Sequence, residues 1–164
     1  MIGPAPGEAG YALAERLVAL LAGRGSTVAV AESLTGGWVQ STLTSVAGVS
    51  AVFRGGVVAY ATDLKQSLLG IPAGVLAADG AVAAITAEQM ATNVARVCGA
   101  DWGMATTGVA GPDPQEGHLP GTVFVAVAGN GQVCSQRLDL HGDRAEVRIR
   151  TVEAVLRLLV DRLQ

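Results

Sequence analysis

Three short runs rich in Val, Ala and Thr, at Thr27–Ala31, Gly56–Tyr60 and Asp101–Thr107, alternate with segments whose apolar residues recur at helical spacing. That alternation constrains the fold more than any other feature, because a strand, a helix and a further strand in sequence build a parallel pair crossed by the helix. Helices are expected from Glu8 to about Ala22, closed by Gly23 and Gly25, and after Ser33 and Thr35, carrying Trp38, Val39 and Leu43 and broken at Ala47-Gly48. Others should begin at Thr62 or Asp63, at Thr86, where Thr-Ala-Glu-Gln has the form of a capping box opening a helix to about Cys98, and at Asp143, running to about Leu163. The segment Ile71–Gly80 reads as a loop. A Gly- and Pro-rich loop, Gly108–Gly121, leads into a hairpin of Thr122–Ala128 and Gln132–Leu140 turned by Gly129-Asn130-Gly131. The expectation is one α/β domain over residues 1–164, a three-layer α/β/α arrangement with a mostly parallel sheet and an antiparallel hairpin near its C-terminal end.

Composition excludes several functions. Half of the 164 residues are hydrophobic but only 4% are aromatic, and 22 are glycine, so the core must be built from Ala, Val and Leu. A net charge of −3 without any Lys/Arg run argues against a nucleic-acid partner, which would need a basic patch. Met1–Gly10 carries no basic segment and Glu15 and Arg16 interrupt the best early apolar stretch, so no membrane partner and a cytoplasmic location are expected. Cys98 and Cys134 form no CxxC, and His118 and His141 are not at ligand spacing, so no metal is expected. Of the 11 basic residues ten are arginines and one, Lys65, is a lysine. Lysine can give up its proton when desolvated, which arginine cannot.

In a parallel sheet, ligands sit beyond the carboxyl ends of the strands, where three segments should converge. Ala31-Glu-Ser-Leu-Thr-Gly-Gly37 puts Ser33 at a strand-to-helix turn, either as a nucleophile beside oxyanion-binding amides or simply as a helix cap. Gly55-Gly-Val-Val-Ala-Tyr-Ala-Thr-Asp-Leu-Lys65 brings Tyr60 and Lys65 to one crevice, where the lysine is either a desolvated base or a solvated helix-start residue. Ala105-Thr-Thr-Gly-Val-Ala-Gly-Pro-Asp113 matches neither GxxxxGK[ST] nor GxGxxG, which weakens triphosphate binding. Thr106, Thr107 and the amides near Gly108 remain donors for a small anion, or belong to a plain connecting loop.

Together these segments resemble the C-terminal domain family of the competence-damage-inducible protein CinA, whose stand-alone members are nicotinamide-nucleotide amidohydrolases. AESLTGG at 31–37, GGVVAY followed by the lysine at 55–65, LLG at 68–70, GAV at 80–82, TGVAGP at 107–112, PGTV at 120–123 and GDRAEVRIRT at 142–151 fall in the family's order. The resemblance implies hydrolysis of the carboxamide of nicotinamide mononucleotide, without metal or cofactor, by a homo-oligomer acting on a small-molecule nucleotide. It implies Ser33 as nucleophile, Lys65 as general base and Tyr60 as an orienting or relay group, with Thr35, Gly36, Gly37, Thr106, Thr107 and Gly108 as substrate-binding residues. Arg144 and Arg148, at i and i+4, are candidates for the substrate's phosphate, with Glu146 or Glu153 as alternative partners. Glu32 is read as a second-layer carboxylate holding Lys65 or a backbone turn, or as half of a buried salt bridge. Against the family pattern, Leu34 stands where cysteine is frequent, Pro114-Gln115 replaces a glycine pair, Pro120 meets Gly121 directly, and Ala83 stands where serine is common. The competing reading is a non-catalytic nucleotide-binding or regulatory module of the same fold.

Overall fold

The structure, a computed structural model, describes residues 7–164; the expectation of no basic segment at the start concerns residues that lie largely outside these. Helix α1 spans Glu8–Arg24 and ends on Gly25, whose left-handed φ of 61° lets its N–H reach back to the Ala22 carbonyl. Strand β1, Val28–Glu32, is followed by a five-residue turn and helix α2, Trp38–Thr44. A single 3₁₀ turn at Val49–Ala51 then leads into β2, Phe53–Val58. Next come α3, Thr62–Ser67, α4, Ala73–Asp79, and α5, Ala84–Cys98. Strands β3, Trp102–Gly108, β4, Thr122–Gly129, and β5, Gln132–Asp139, precede the final helix α6, Arg144–Arg162.

The five strands lie in the order β2-β1-β3-β4-β5, with β2, β1 and β3 parallel and β4 and β5 antiparallel to their neighbours. This is the expected α/β arrangement, a parallel core closed by a hairpin. Asn130 and Gly131, both at positive φ, make the two-residue turn whose twist matches the flanking strands. No helix among the described residues is long and apolar enough to cross a membrane.

Strand alternation separates two cores. Val28 and Val30 of β1, Met104 of β3 and Val123, Val125 and Val127 of β4 face α1, α2 and α6. Ala29, Ala31, Ala105, Phe124, Ala126 and Ala128 face α5 instead. That second face is built mostly of very small side chains, so α5 lies almost against the sheet backbone: a Cβ on Gly103 would meet the Ala91 carbonyl oxygen at 1.8 Å. Gly103→Ala is therefore expected to destabilise by about 3 kcal/mol through overpacking, lowering Tm by roughly 6–12 °C. Gly23→Ala, in an exposed part of α1 with nothing within 4 Å of the new methyl, should raise stability by about 0.5–1 kcal/mol instead. Thermal melts of the two variants check both signs.

Three local expectations are corrected. Ile71–Gly80 holds the short helix α4, which starts after Pro72 and turns Val75 and Leu76 onto the α5 core. Helix α5 begins at Ala84, two residues before the presumed capping box, and Thr86 Oγ1 donates instead to the Gly80 carbonyl at 2.7 Å. The capping box lies at α6, where Asp143 accepts from the Glu146 N–H and Glu146 accepts from the Asp143 N–H. Strand β2 is displaced toward the N-terminus relative to Gly56–Tyr60, so Tyr60 stands beyond its end.

Candidate active site

Beyond the carboxyl ends of β1, β2 and β3 lies a cleft lined by Ser33 and Leu34, by Tyr60 and Lys65, by Ala81 and Val82, by the stretch 107–111 and by Arg144, with Asp113 and Gln115 at its edge. The three segments singled out in the sequence thus meet at one place. Ser33 is the first residue after β1; its N–H donates to the Thr106 carbonyl at the end of β3, which fixes where the hydroxyl starts.

Lys65 sits in the short helix α3 and is only 1% exposed. Its Nζ lies 3.0 Å from Ser33 Oγ and donates to the Ala59 carbonyl at 2.9 Å. Burial among small apolar residues disfavours the ammonium, and although the Glu116 carboxylate pulls the other way, burial prevails and lowers the pKa to about 8 from 10.5. A neutral amine has two N–H donors and one lone pair. With one donor on Ala59, it is placed to accept the Ser33 proton along the 3.0 Å contact.

The turn behind Ser33 is held from below by Glu32, which is fully buried. Its carboxylate accepts from the N–H groups of Gly37 at 3.0 Å, Val39 at 3.1 Å and Gln40 at 2.9 Å. Of the readings of Glu32, holding a backbone turn is what the geometry gives; it forms no ion pair with Lys65. These are the N–H groups of the first turn of α2, so that helix start is occupied by the protein's own carboxylate. Leu34 N–H and Thr35 N–H, by contrast, have no hydrogen-bond partner among the described residues.

The other sequence-nominated residues divide. Thr107 and Gly108 line the cleft, although Thr107 Oγ1 donates to the Ala81 carbonyl at 2.7 Å and so ties the two walls together. Thr35 and Thr106 are fully buried, with their hydroxyls 2.8 Å apart, and together with Gly36 and Gly37 they stand behind the Ser33 turn and not on the cleft wall. Tyr60 is 55% exposed at the rim, and its hydroxyl accepts from Arg144 Nη2 at 2.7 Å; its partner is this arginine and not the Ser33–Lys65 pair. Arg144 Nη1 also donates to the Gly111 carbonyl at 2.7 Å.

Arg148 does not line the cleft. Its Nε donates to the Leu34 carbonyl at 3.0 Å and its Nη2 to the Thr35 carbonyl at 2.9 Å, while the guanidinium lies 3.6 Å from the centre of the Trp38 ring. Sequence reasoning missed Glu116, whose carboxylate accepts from Ala81 N–H at 2.8 Å and anchors the 112–120 loop beside the cleft. An exposed glutamate in a loop carries no local signal for such a long-range contact.

A model of the CinA C-terminal domain family matches residues 10–163. A CinA-like protein of Frankia casuarinae is 48% identical over 143 residues, covering 87% of this chain and 33% of its own length. The chain spans about a third of the length of the curated relatives it matches. The crystal structure of the competence/damage inducible protein CihA from Agrobacterium tumefaciens agrees with a TM-score of 0.92 at 35% identity, over 99% of this chain and 100% of that one. A CinA superfamily protein from Klebsiella pneumoniae gives 0.91 at 32% identity, over 94% of this chain and 97% of that one. With the family's motifs placed around one cleft and its model running along nearly the whole sequence, the chain belongs to the CinA C-terminal domain family.

Proposed function

We propose that this chain hydrolyses the carboxamide of nicotinamide mononucleotide to nicotinate mononucleotide and ammonia, in pyridine-nucleotide salvage, with Ser33 as nucleophile and Lys65 as base. The observation that carries the reading is the 3.0 Å contact between a hydroxyl and a buried amine whose pKa is lowered to about 8, at the wall of a cleft. A structural lysine has no need of this arrangement, whereas an activated serine does.

In the first half-reaction Ser33 Oγ bonds to the carboxamide carbon while its proton passes to Lys65 Nζ, and the carbonyl electron pair moves onto oxygen. The N–H of Leu34, a cleft-lining residue, has no partner among the described residues and is the donor closest in sequence to the nucleophile for that oxyanion. Collapse re-forms the carbonyl and breaks the C–N bond, and the proton held by Lys65 goes to the departing nitrogen, which leaves as ammonia. Water then adds to the ester, Lys65 takes its proton, and that proton returns to Ser33 Oγ as the C–O bond breaks and the acid is released. Nothing in this sequence requires a metal or an organic cofactor.

Tyr60 and Arg144 form the rim, and Arg144 has further N–H donors to offer beyond those on Gly111 and Tyr60. The substrate's phosphate is assigned to Arg144 on this ground, and Arg148 is not assigned to it.

The test is ammonia release from the mononucleotide by purified protein, with Ser33→Ala as control. Because the base must be neutral, activity should fall as pH drops through about 8, changing roughly tenfold per unit well below it and levelling off above. Equal release by the parent and the Ser33→Ala variant, or a flat profile from pH 6 to 9, would sink the reading.

A further inference from the structure

Arg148 is spent on the protein and is not held out for a ligand. Three sides of its guanidinium are engaged: one face lies on Trp38 at 3.6 Å, Nε is on the Leu34 carbonyl and Nη2 is on the Thr35 carbonyl. The carbonyls it grips belong to the two residues immediately after the proposed nucleophile. In a planar trans peptide the C=O and the N–H point in opposite directions. Fixing the Leu34 carbonyl on Arg148 therefore leaves the Thr35 N–H on the side away from the arginine. The neighbouring plane is fixed in the same manner, because the Ser33 carbonyl accepts from Gly36 N–H at 3.0 Å, which turns the Leu34 N–H the other way. These are the two N–H groups of the turn that have no partner among the described residues. A cation on the carbonyl end of a peptide also draws electron density along it, making the N–H at the other end a stronger donor.

We infer that Arg148 is a positioning residue that holds the 33–36 turn from behind so that the N–H of Leu34, a residue lining the cleft, meets the oxyanion formed on attack by Ser33. The bond from Arg148 to the Thr35 carbonyl fixes the Thr35–Gly36 peptide, whose N–H in turn holds the Ser33 carbonyl. The inference rests on the amidohydrolase reading above. It assigns to Arg148 a role in the transition state and none in holding the ground-state nucleotide. Trp38 serves the same end by fixing the plane of the guanidinium, so that both donors stay in register with successive carbonyls. A lysine could reach one carbonyl but has neither the fork nor the flat face.

Steady-state ammonia release from nicotinamide mononucleotide and from the phosphate-free nicotinamide riboside tests this with Arg148→Lys and Trp38→Phe. For Arg148→Lys, kcat should fall about 30- to 100-fold on the nucleotide with KM within about twofold of the parent, and by the same factor on the nucleoside. For Trp38→Phe, which keeps an aromatic face, a loss of about two- to fivefold confined to kcat is expected. Thermal melts and the pH midpoint should stay at the parent values for Trp38→Phe, so that it reports on positioning even where Arg148→Lys folds poorly. A rise in KM on the nucleotide alone, with the nucleoside unaffected, would make Arg148 a phosphate ligand and overturn the inference, as would parent-like kcat in both variants. Absence of ammonia from the parent protein would instead remove the amidohydrolase reading itself and the inference with it.

Discussion

Lys65→Met is expected to lower kcat for amide hydrolysis by roughly a thousandfold while leaving the protein folded. The methionine fills a similar volume in a slot where the lysine is 1% exposed, but it can take no proton from Ser33. Ser33 and Lys65 work as a unit, so adding Ser33→Ala to the lysine variant should cost little more, since groups acting in one step are strongly non-additive. Stability should move differently. The buried amine has a pKa of about 8, below its ordinary 10.5, so between those values the unfolded chain binds more protons and parent stability rises with pH. Below pH 8 the parent carries the full burden of the buried charge, about 3 kcal/mol. The variant escapes it but leaves the Ala59 carbonyl without its donor, a loss of about 1–3 kcal/mol. At pH 7 the two should therefore be similar or the variant slightly more stable, and by pH 10 the parent should be ahead. Urea denaturation at both pH values reads this crossover, and a parent rate of ammonia release from Lys65→Met would end the assignment of the base.

The second large effect belongs to Glu32, which never touches the cleft. Glu32→Ala strands the N–H groups of Gly37, Val39 and Gln40, of which Val39 is buried and the other two are partly buried, around the place of a fully buried carboxylate. A destabilisation of about 3 kcal/mol or more follows, visible as a fall in Tm of roughly 6–12 °C. Activity should be lost with it, because the same turn carries Ser33. Glu32→Gln keeps one acceptor oxygen but turns an amino group on a backbone donor, so it should recover only part of the loss. A melt of Glu32→Ala within a degree of the parent would show that the N–H groups find other partners.

Much of this was legible in the residues. The valine runs of β1 and β4 alternate large and small, and the helix periods of α1 and α6 are long enough to stand out. The lone lysine among ten arginines fell seven residues past the end of β2, in the short helix α3, and proved to lie against Ser33. What escaped was non-local. Helix α4 is seven residues between Gly70 and Gly80, too short to show a period. The Thr86–Gln89 pattern fits a cap by spacing, yet Thr86 finds the Gly80 carbonyl because the chain folds back there. Glu32 binds N–H groups five, seven and eight positions on, a reach that no helix-cap motif describes. Arg148 sits more than a hundred residues from the carbonyls it holds, so its i, i+4 relation to Arg144 suggested a joint anion site where the fold puts the two on different tasks.

The thin layer between α5 and the sheet bears on the far end of the molecule. Ala81 and Val82, one wall of the cleft, lie on the chain entering α5, and that wall is tied to the other through Thr107. Since α5 rests on backbone at Gly103 and mostly on alanines elsewhere, with Phe124 the one large strand side chain on that face, there is little side-chain padding to absorb a change beneath it. The alanine and glycine layer therefore works as a shim, setting how high α5 and the chain entering it ride above the sheet.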